Sequence, residues 1–170
     1  MADVRMKKGR LKAGFTLVEL LIAAMLIGFA IAALLASNSA FTSANAGGIN
    51  LSTAEFLIEE IRELTACLDV VDPETGIDVW GPESDETSVA NYDDLDDFDG
   101  VSFSPPIDVS CAQLADFSAF TQQVTVENVF PGQFQTVVLD HSSDFVRVTV
   151  TILLNNRQID SANWIRARLN

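Results

Sequence analysis

The sequence predicts an α+β chain, with one long N-terminal helix laid on a C-terminal antiparallel β-sheet. Three observations carry this. Phe15 to Ala36 is an apolar run whose single charge is Glu19. Leu51, Ala54, Leu57/Ile58, Ile61, Leu64 and Leu68 then recur at helical spacing, with Glu55, Glu59, Arg62 and Glu63 largely on the opposite face. Finally, Phe145 to Leu154 alternates: Val146, Val148, Val150, Ile152 and Leu154 take one face, Arg147, Thr149 and Thr151 the other.

The first half of the helix is long enough to cross a bilayer, since its 22 residues rise about 33 Å at ~1.5 Å each. Charge placement gives it a direction. The chain holds 24 acids against 10 bases, a net charge of −14. Five of the bases (Arg5, Lys7, Lys8, Arg10, Lys12) precede Gly14 with only Asp3 among them, so this segment carries +4 and the remainder −18. Basic residues ahead of an apolar run stay cytoplasmic, which places the C-terminal body on the far side of a membrane in a single-pass arrangement. An ordinary secretory signal competes through Ala44-Asn45-Ala46. However, the apolar run exceeds the usual ~7–15 residues, and ~10 more separate it from that site. The acidic balance excludes nucleic acid as a partner. The 48% apolar content excludes a disordered acidic tail.

Glu19 costs on the order of 2.5–3.5 kcal/mol at mid-bilayer, less near an interface, and such a residue usually has a partner or a function. Cleavage after Gly14 would create a cationic amine at Phe15, four residues away. The segment KAGFTLVELLIAAMLI, Lys12 to Ile27, resembles the prepilin cleavage and methylation motif of type IV pilins and type II secretion pseudopilins. The resemblance implies that a prepilin peptidase cuts after Gly14 and N-methylates Phe15. It also implies that Glu19 registers the subunit against a neighbour's N-terminal amine, a pairing strengthened by desolvation. The implied partners are that peptidase, other pilin or pseudopilin subunits and the inner membrane, with a pilus or pseudopilus as the destination. Met6 as the translation start would give the shorter leader usual in the family. Small residues Ala23, Ala24, Gly28, Ala32 and Ala33 allow close helix–helix approach.

This divides the chain into a leader (1–14), a transmembrane and assembly helix (15–36), an amphipathic continuation (37–66) and a globular head (67–170). Gly47-Gly48 weakens the helix by roughly 1 kcal/mol per glycine. Ser52 and Glu55 have the spacing of a capping box. Residues 69–111 hold four of the five prolines and read as a connector with little regular structure. Within it Asp93, Asp94, Asp96, Asp97 and Asp99 crowd together before Gly100. Carboxylate oxygens suit Ca²⁺, but the spacing is not that of an EF-hand, so a solvated acidic loop and a calcium site stand as alternative readings. DDLDDFDG, the following SPP and the later QQVTVENV resemble the body of minor pilins related to the mannose-sensitive haemagglutinin pilus. The sheet is read as strands at Gln122–Val129, Gln135–Leu139, Phe145–Leu154 and Arg157–Arg168, with Asn155-Asn156 as a two-residue hairpin turn. Its valine face is expected to pack on Leu57, Ile61 and Leu64.

Cys67 and Cys111 are the only cysteines. An even count outside the cytoplasm predicts a disulfide, closing the connector with about 3–4 kcal/mol of loop entropy. The single histidine, His141, lies in DHSSD, a cluster too local for a triad whose members must converge from separate positions. No phosphate loop, dinucleotide fingerprint or His-rich metal set is present, and the chain is not read as an enzyme. The sequence therefore points to a structural subunit, a minor type IV pilin or pseudopilin. The alternative is a membrane-anchored extracytoplasmic binding module with an acidic, calcium-binding head.

Overall fold

A computed structural model of the chain describes residues 14–72 and 79–168. The expected basic leader, residues 1–14, lies outside the described residues except for Gly14. The chain divides between Ala46 and Gly47 into two compact units.

Helix α1 spans Leu17–Leu64. It passes through Gly47 and Gly48 in helical conformation, and Ser52 lies inside it. The Ser52/Glu55 capping box therefore begins no helix, because the residues before it are already helical and their carbonyls accept the amides that a cap would serve. In the first unit the helix is bare. The apolar window that qualifies it to cross a membrane has no buried residue, and Leu20, Ile27, Phe29 and Leu34 are all exposed.

In the second unit the last turns of α1 bury Ala54, Leu57, Ile58 and Ile61. They pack in one core with the sheet, which comprises β1 (Ser102–Phe103), β2 (Phe120–Phe130), β3 (Gln133–Val137), β4 (Phe145–Leu154) and β5 (Arg157–Ala167). The strand order is β1–β2–β4–β5, and β3 pairs with the end of β2. All pairings are antiparallel. Val124 stands opposite Val150 and Val126 opposite Val148, so branched side chains from two central strands meet on the face turned to α1. Val146, Val148, Val150 and Ile152 are fully buried there, with Leu57 and Ile61; Leu64 is partly buried against them. The β4–β5 turn is formed by Asn155 and Asn156 with φ of 50° and 64°, the left-handed pair that a two-residue hairpin requires. β3 lies two residues earlier than the sequence pattern suggests, because Pro131-Gly132 makes a tighter turn, with Gly132 at φ 84°.

Two polar side chains tie these layers together. Gln122 is fully buried on β2. Its Nε2 donates to the carbonyls of Leu57 (2.9 Å) and Ile107 (3.1 Å), and its Oε1 accepts from the Ile107 amide at 2.8 Å. Arg166 on β5 closes the end of α1, donating from Nη1 to the carbonyls of Thr65 (2.8 Å) and Ala66 (3.0 Å) and from Nη2 to that of Leu68 (2.9 Å). Those carbonyls lie in the turn just beyond Leu64, the last helical residue, where the helix dipole favours a cation.

Between helix and sheet, composition predicts a solvated connector, whereas the structure folds it inward. Short 3₁₀ turns at Asp96–Phe98 and Ala115–Phe117 punctuate it, and Val70, Leu95, Phe98 and Ile107 join the core. Proline and glycine do suppress helix and strand here. What the pattern hides is that irregular backbone can still deliver single apolar side chains once its amides find acceptors.

Gln122→Leu keeps size but leaves the Ile107 amide and two carbonyls without their partner. Chemical denaturation of the detergent-solubilised chain should show a loss of about 1–3 kcal/mol; unchanged stability would remove Gln122 from its tying role.

Candidate functional site

Two sets of residues carry chemistry, one in each unit. In the first, Gly14 and Phe15 precede α1, and Phe15 is 83% exposed. Thr16 caps the helix: the Glu19 amide donates to Thr16 Oγ1 at 3.3 Å, and the Leu20 amide to the Thr16 carbonyl at 3.1 Å. Thr16 and Glu19 have capping-box spacing, which the sequence reading overlooks although it is legible. Glu19 thus falls in the first turn, where the helix dipole favours a carboxylate.

In the second unit the aspartates of residues 93–99 are not a solvated face. Asp94, Asp96 and Asp97 are 1%, 3% and 0% exposed, while Asp93 is exposed and Asp99 half-buried. Their oxygens serve backbone amides. Asp94 Oδ1 accepts from Asp96 (2.9 Å) and Asp97 (3.3 Å), and Asp97 Oδ2 from Asp93 (3.1 Å) and Asp94 (3.3 Å). Asp96 Oδ1 accepts from Gly81 at 3.0 Å. Asp99 binds the Val126 amide (2.9 Å) and Trp80 Nε1 (3.2 Å). These bonds fold the turn that sends Leu95 and Phe98 into the core.

The cost is electrostatic. Burial pushes Asp94 and Asp97 up to about 7, with each carboxylate repelling the other or its neighbour Asp96. Burial likewise raises Asp96 to about 6. Glu83 rises to about 7 through burial and its hydrogen-bonding neighbour Glu86. Two groups have oxygens within 4.8 Å of one another: Glu83, Glu86 and Asp97, and Asp93, Asp94 and Asp97. The calcium reading anticipates the second set. It omits Glu83 and Glu86, whose i, i+3 spacing in a turn-rich stretch is the only hint in the sequence.

His141 lies across the chain from this cluster, Nε2 standing 3.8 Å from Asp96 Oδ2 and its ring 5.4 Å from Trp80. These groups line a crevice of about 50 Å³ with Asn128 and Ser143. The hydroxyls of DHSSD are engaged by the loop itself: Ser142 Oγ donates to the Leu139 carbonyl, and Ser143 Oγ accepts from the Phe145 amide at 3.1 Å. No hydrogen bond joins His141 to either serine among the described residues.

The expected Cys67–Cys111 bridge is corrected by the structure: both cysteines are free. Cys67 is exposed in the turn that ends α1. Cys111 is held at φ 62° in a turn knotted by Asp108 Oδ1, which accepts from the amides of Ser110 and Ala112. Its thiol points to the Val89 carbonyl, 3.8 Å away. Gln122, Arg166 and the inward aspartates pin the connector instead.

Residues 9–35 match the family described as the prokaryotic N-terminal methylation motif. The match spans the glycine, the phenylalanine, the glutamate and most of the apolar run. No curated protein and no solved structure matches the chain.

The raised carboxyls set the sign of a pH dependence. Folded Asp94, Asp96, Asp97 and Glu83 hold protons that the unfolded chain, with ordinary values of 3.8 and 4.5, releases. The folded state therefore binds more protons between about pH 4 and 7, and stability falls as pH rises through that window. His141, Glu86 and Asp72 face these groups and set the size of the effect. In chelator-treated protein the thermal midpoint should decline from pH 5 to pH 8; a midpoint that rises instead would contradict the buried, like-charged arrangement.

Proposed function

We propose that the chain is a minor type IV pilin or pseudopilin, a structural subunit made as a prepilin. It is cut after Gly14, methylated on the new amino group of Phe15 and held in the inner membrane by Phe15–Ala36 until it enters a filament. One observation carries this reading: the methylation motif over residues 9–35 runs into the N-terminal part of a helix whose membrane-length apolar window has no buried residue. Such a surface needs a bilayer or neighbouring helices to cover it.

The motif supplies the order of events. A peptidase acting from the cytoplasmic side requires the bond after Gly14 to lie outside the bilayer, and Gly14 and Phe15 lie ahead of the helix. Cleavage leaves a cationic amine beside the first turn. Glu19 in that turn is a carboxylate on an otherwise apolar surface. In a packed filament core it would meet the amine of a neighbour, because an isolated charge there is far costlier than a paired one. Ala23, Ala24, Gly28, Ala32 and Ala33 let such helices pack closely.

Co-expression with a prepilin peptidase should shorten the chain by the fourteen residues up to Gly14, or by nine if translation starts at Met6. Gly14→Ala should greatly slow the cut. N-terminal sequencing that began at Gly47 would instead identify ordinary secretion. Glu19→Ala should be processed normally yet be lost from sheared filaments or pseudopili; undiminished incorporation would remove its registering role.

A further inference from the structure

The acidic turn poses a problem that its own residues leave open. Asp97 is fully buried, and its two oxygens differ in their surroundings. Oδ2 accepts from the amides of Asp93 and Asp94. Oδ1 is sealed from solvent and accepts no hydrogen bond from an amide or hydroxyl among the described residues; the side chain within hydrogen-bonding reach of the Asp97 carboxyl is another acid, Glu86. A buried carboxylate oxygen without a donor is costly, and proteins rarely keep one.

What stands near it makes the problem worse. Glu83 and Glu86, both half-buried, bring carboxylate oxygens within 4.8 Å of Asp97's. These three acids come from two separate turns, so local sequence does not force them together. A basic residue would be the ordinary remedy, but none lies between Arg62 and Arg147. Of the arginines beyond that gap, Arg147 binds Glu127 at 2.6 Å and Arg166 closes the end of α1, while Arg168 lines the crevice beside Asp96 and His141, on the Asp96 side of the turn. Among the described residues, the only basic side chain within salt-bridge distance of these aspartates is His141, and it approaches Asp96 rather than Asp97.

We propose that Glu83, Glu86 and Asp97 form a Ca²⁺ site that clamps the turn at residues 83–86 onto the buried turn at 94–99. Three convergent carboxylates, one of them oriented by backbone amides, are the hard oxygen donors this ion takes. Its tolerance of six to eight ligands at irregular angles suits a site completed by water from the half-exposed side. Magnesium demands a near-ideal octahedron and keeps its waters, so it fits this set less well. Raised proton affinity at Glu83 and Asp97 is the same like-charge strain seen by a different cation.

The test uses the full chain in detergent, stripped with chelator and titrated with CaCl₂ or MgCl₂ alone while binding and the thermal midpoint are followed. One Ca²⁺ per chain is expected, with a dissociation constant of about 10⁻⁴–10⁻³ M, as for extracellular modules. Calcium should raise the midpoint, and magnesium should raise it less. Glu86→Gln removes one half-exposed ligand without emptying the core, so it should keep the far-ultraviolet dichroism of the parent and lose the calcium response. Asp97→Asn tests the same centre but also removes the acceptor for two amides, so it is interpreted only beside Glu86→Gln. Absence of binding at 10 mM Ca²⁺, a calcium response unchanged in folded Glu86→Gln, or equal stabilisation by magnesium would each overturn the assignment.

Discussion

The folded part of this protein depends on one contact: the apolar stripe of α1 from Ala54 to Ile61 lying on the valine face of β2 and β4. Neither surface is stable alone. The last turns of α1 are too short and too charged on their outer face to hold a helix in water by propensity, and a sheet with Val146, Val148, Val150 and Ile152 on one side cannot leave that side wet. Gln122 sits within this contact and converts a nonspecific apolar fit into a particular register. Its three hydrogen bonds place the Leu57 carbonyl and the Ile107 backbone at set positions. Shifting β2 by one residue would expose the valines and bury an unpartnered amide in one step.

The acidic connector follows from that frame. Its backbone crosses the edge of the core, where irregular chain must find acceptors for its amides. Asp94, Asp96, Asp97 and Asp99 supply them, so carboxylates that look like a solubilising run are internal structural parts. The arrangement gathers negative charge where the connector has no Lys or Arg of its own to oppose it. Proton uptake relieves this strain, as would a divalent cation held by Asp97 with Glu83 and Glu86. The connector is held by these hydrogen bonds together with the burial of Leu95, Phe98 and Ile107, so the charge state of these acids bears on its order.

The N-terminal unit has the opposite character. Its helix carries no core residue and satisfies its own backbone, with Thr16 capping the first turn. Its exposed apolar surface needs a bilayer or packed helices to cover it, and in the proposed subunit Glu19 would meet a neighbour's amine. An assembly subunit has this division of labour, one part folded on itself and the other left unsatisfied.

The long helix, its apolar and amphipathic halves, the alternating β4 and the Asn155-Asn156 hairpin were all legible in the sequence, because each is a periodic or local signal set by the geometry of a single element. The processing motif was legible too, since the chemistry is read along a short linear segment. Other features were not. Whether Cys67 and Cys111 pair, whether five crowded aspartates face water, and which partners Gln122, Arg166 and His141 find are questions of distance between remote parts of the chain. Composition suggested a disulfide and a solvated loop, and both suggestions failed because burial and backbone satisfaction are decided only when helix, sheet and connector close on one another. Sequence by itself determined which segments must be helix, strand and membrane surface. The tertiary structure alone decided which of the charges are inside, since a carboxylate's environment is set by its neighbours in space.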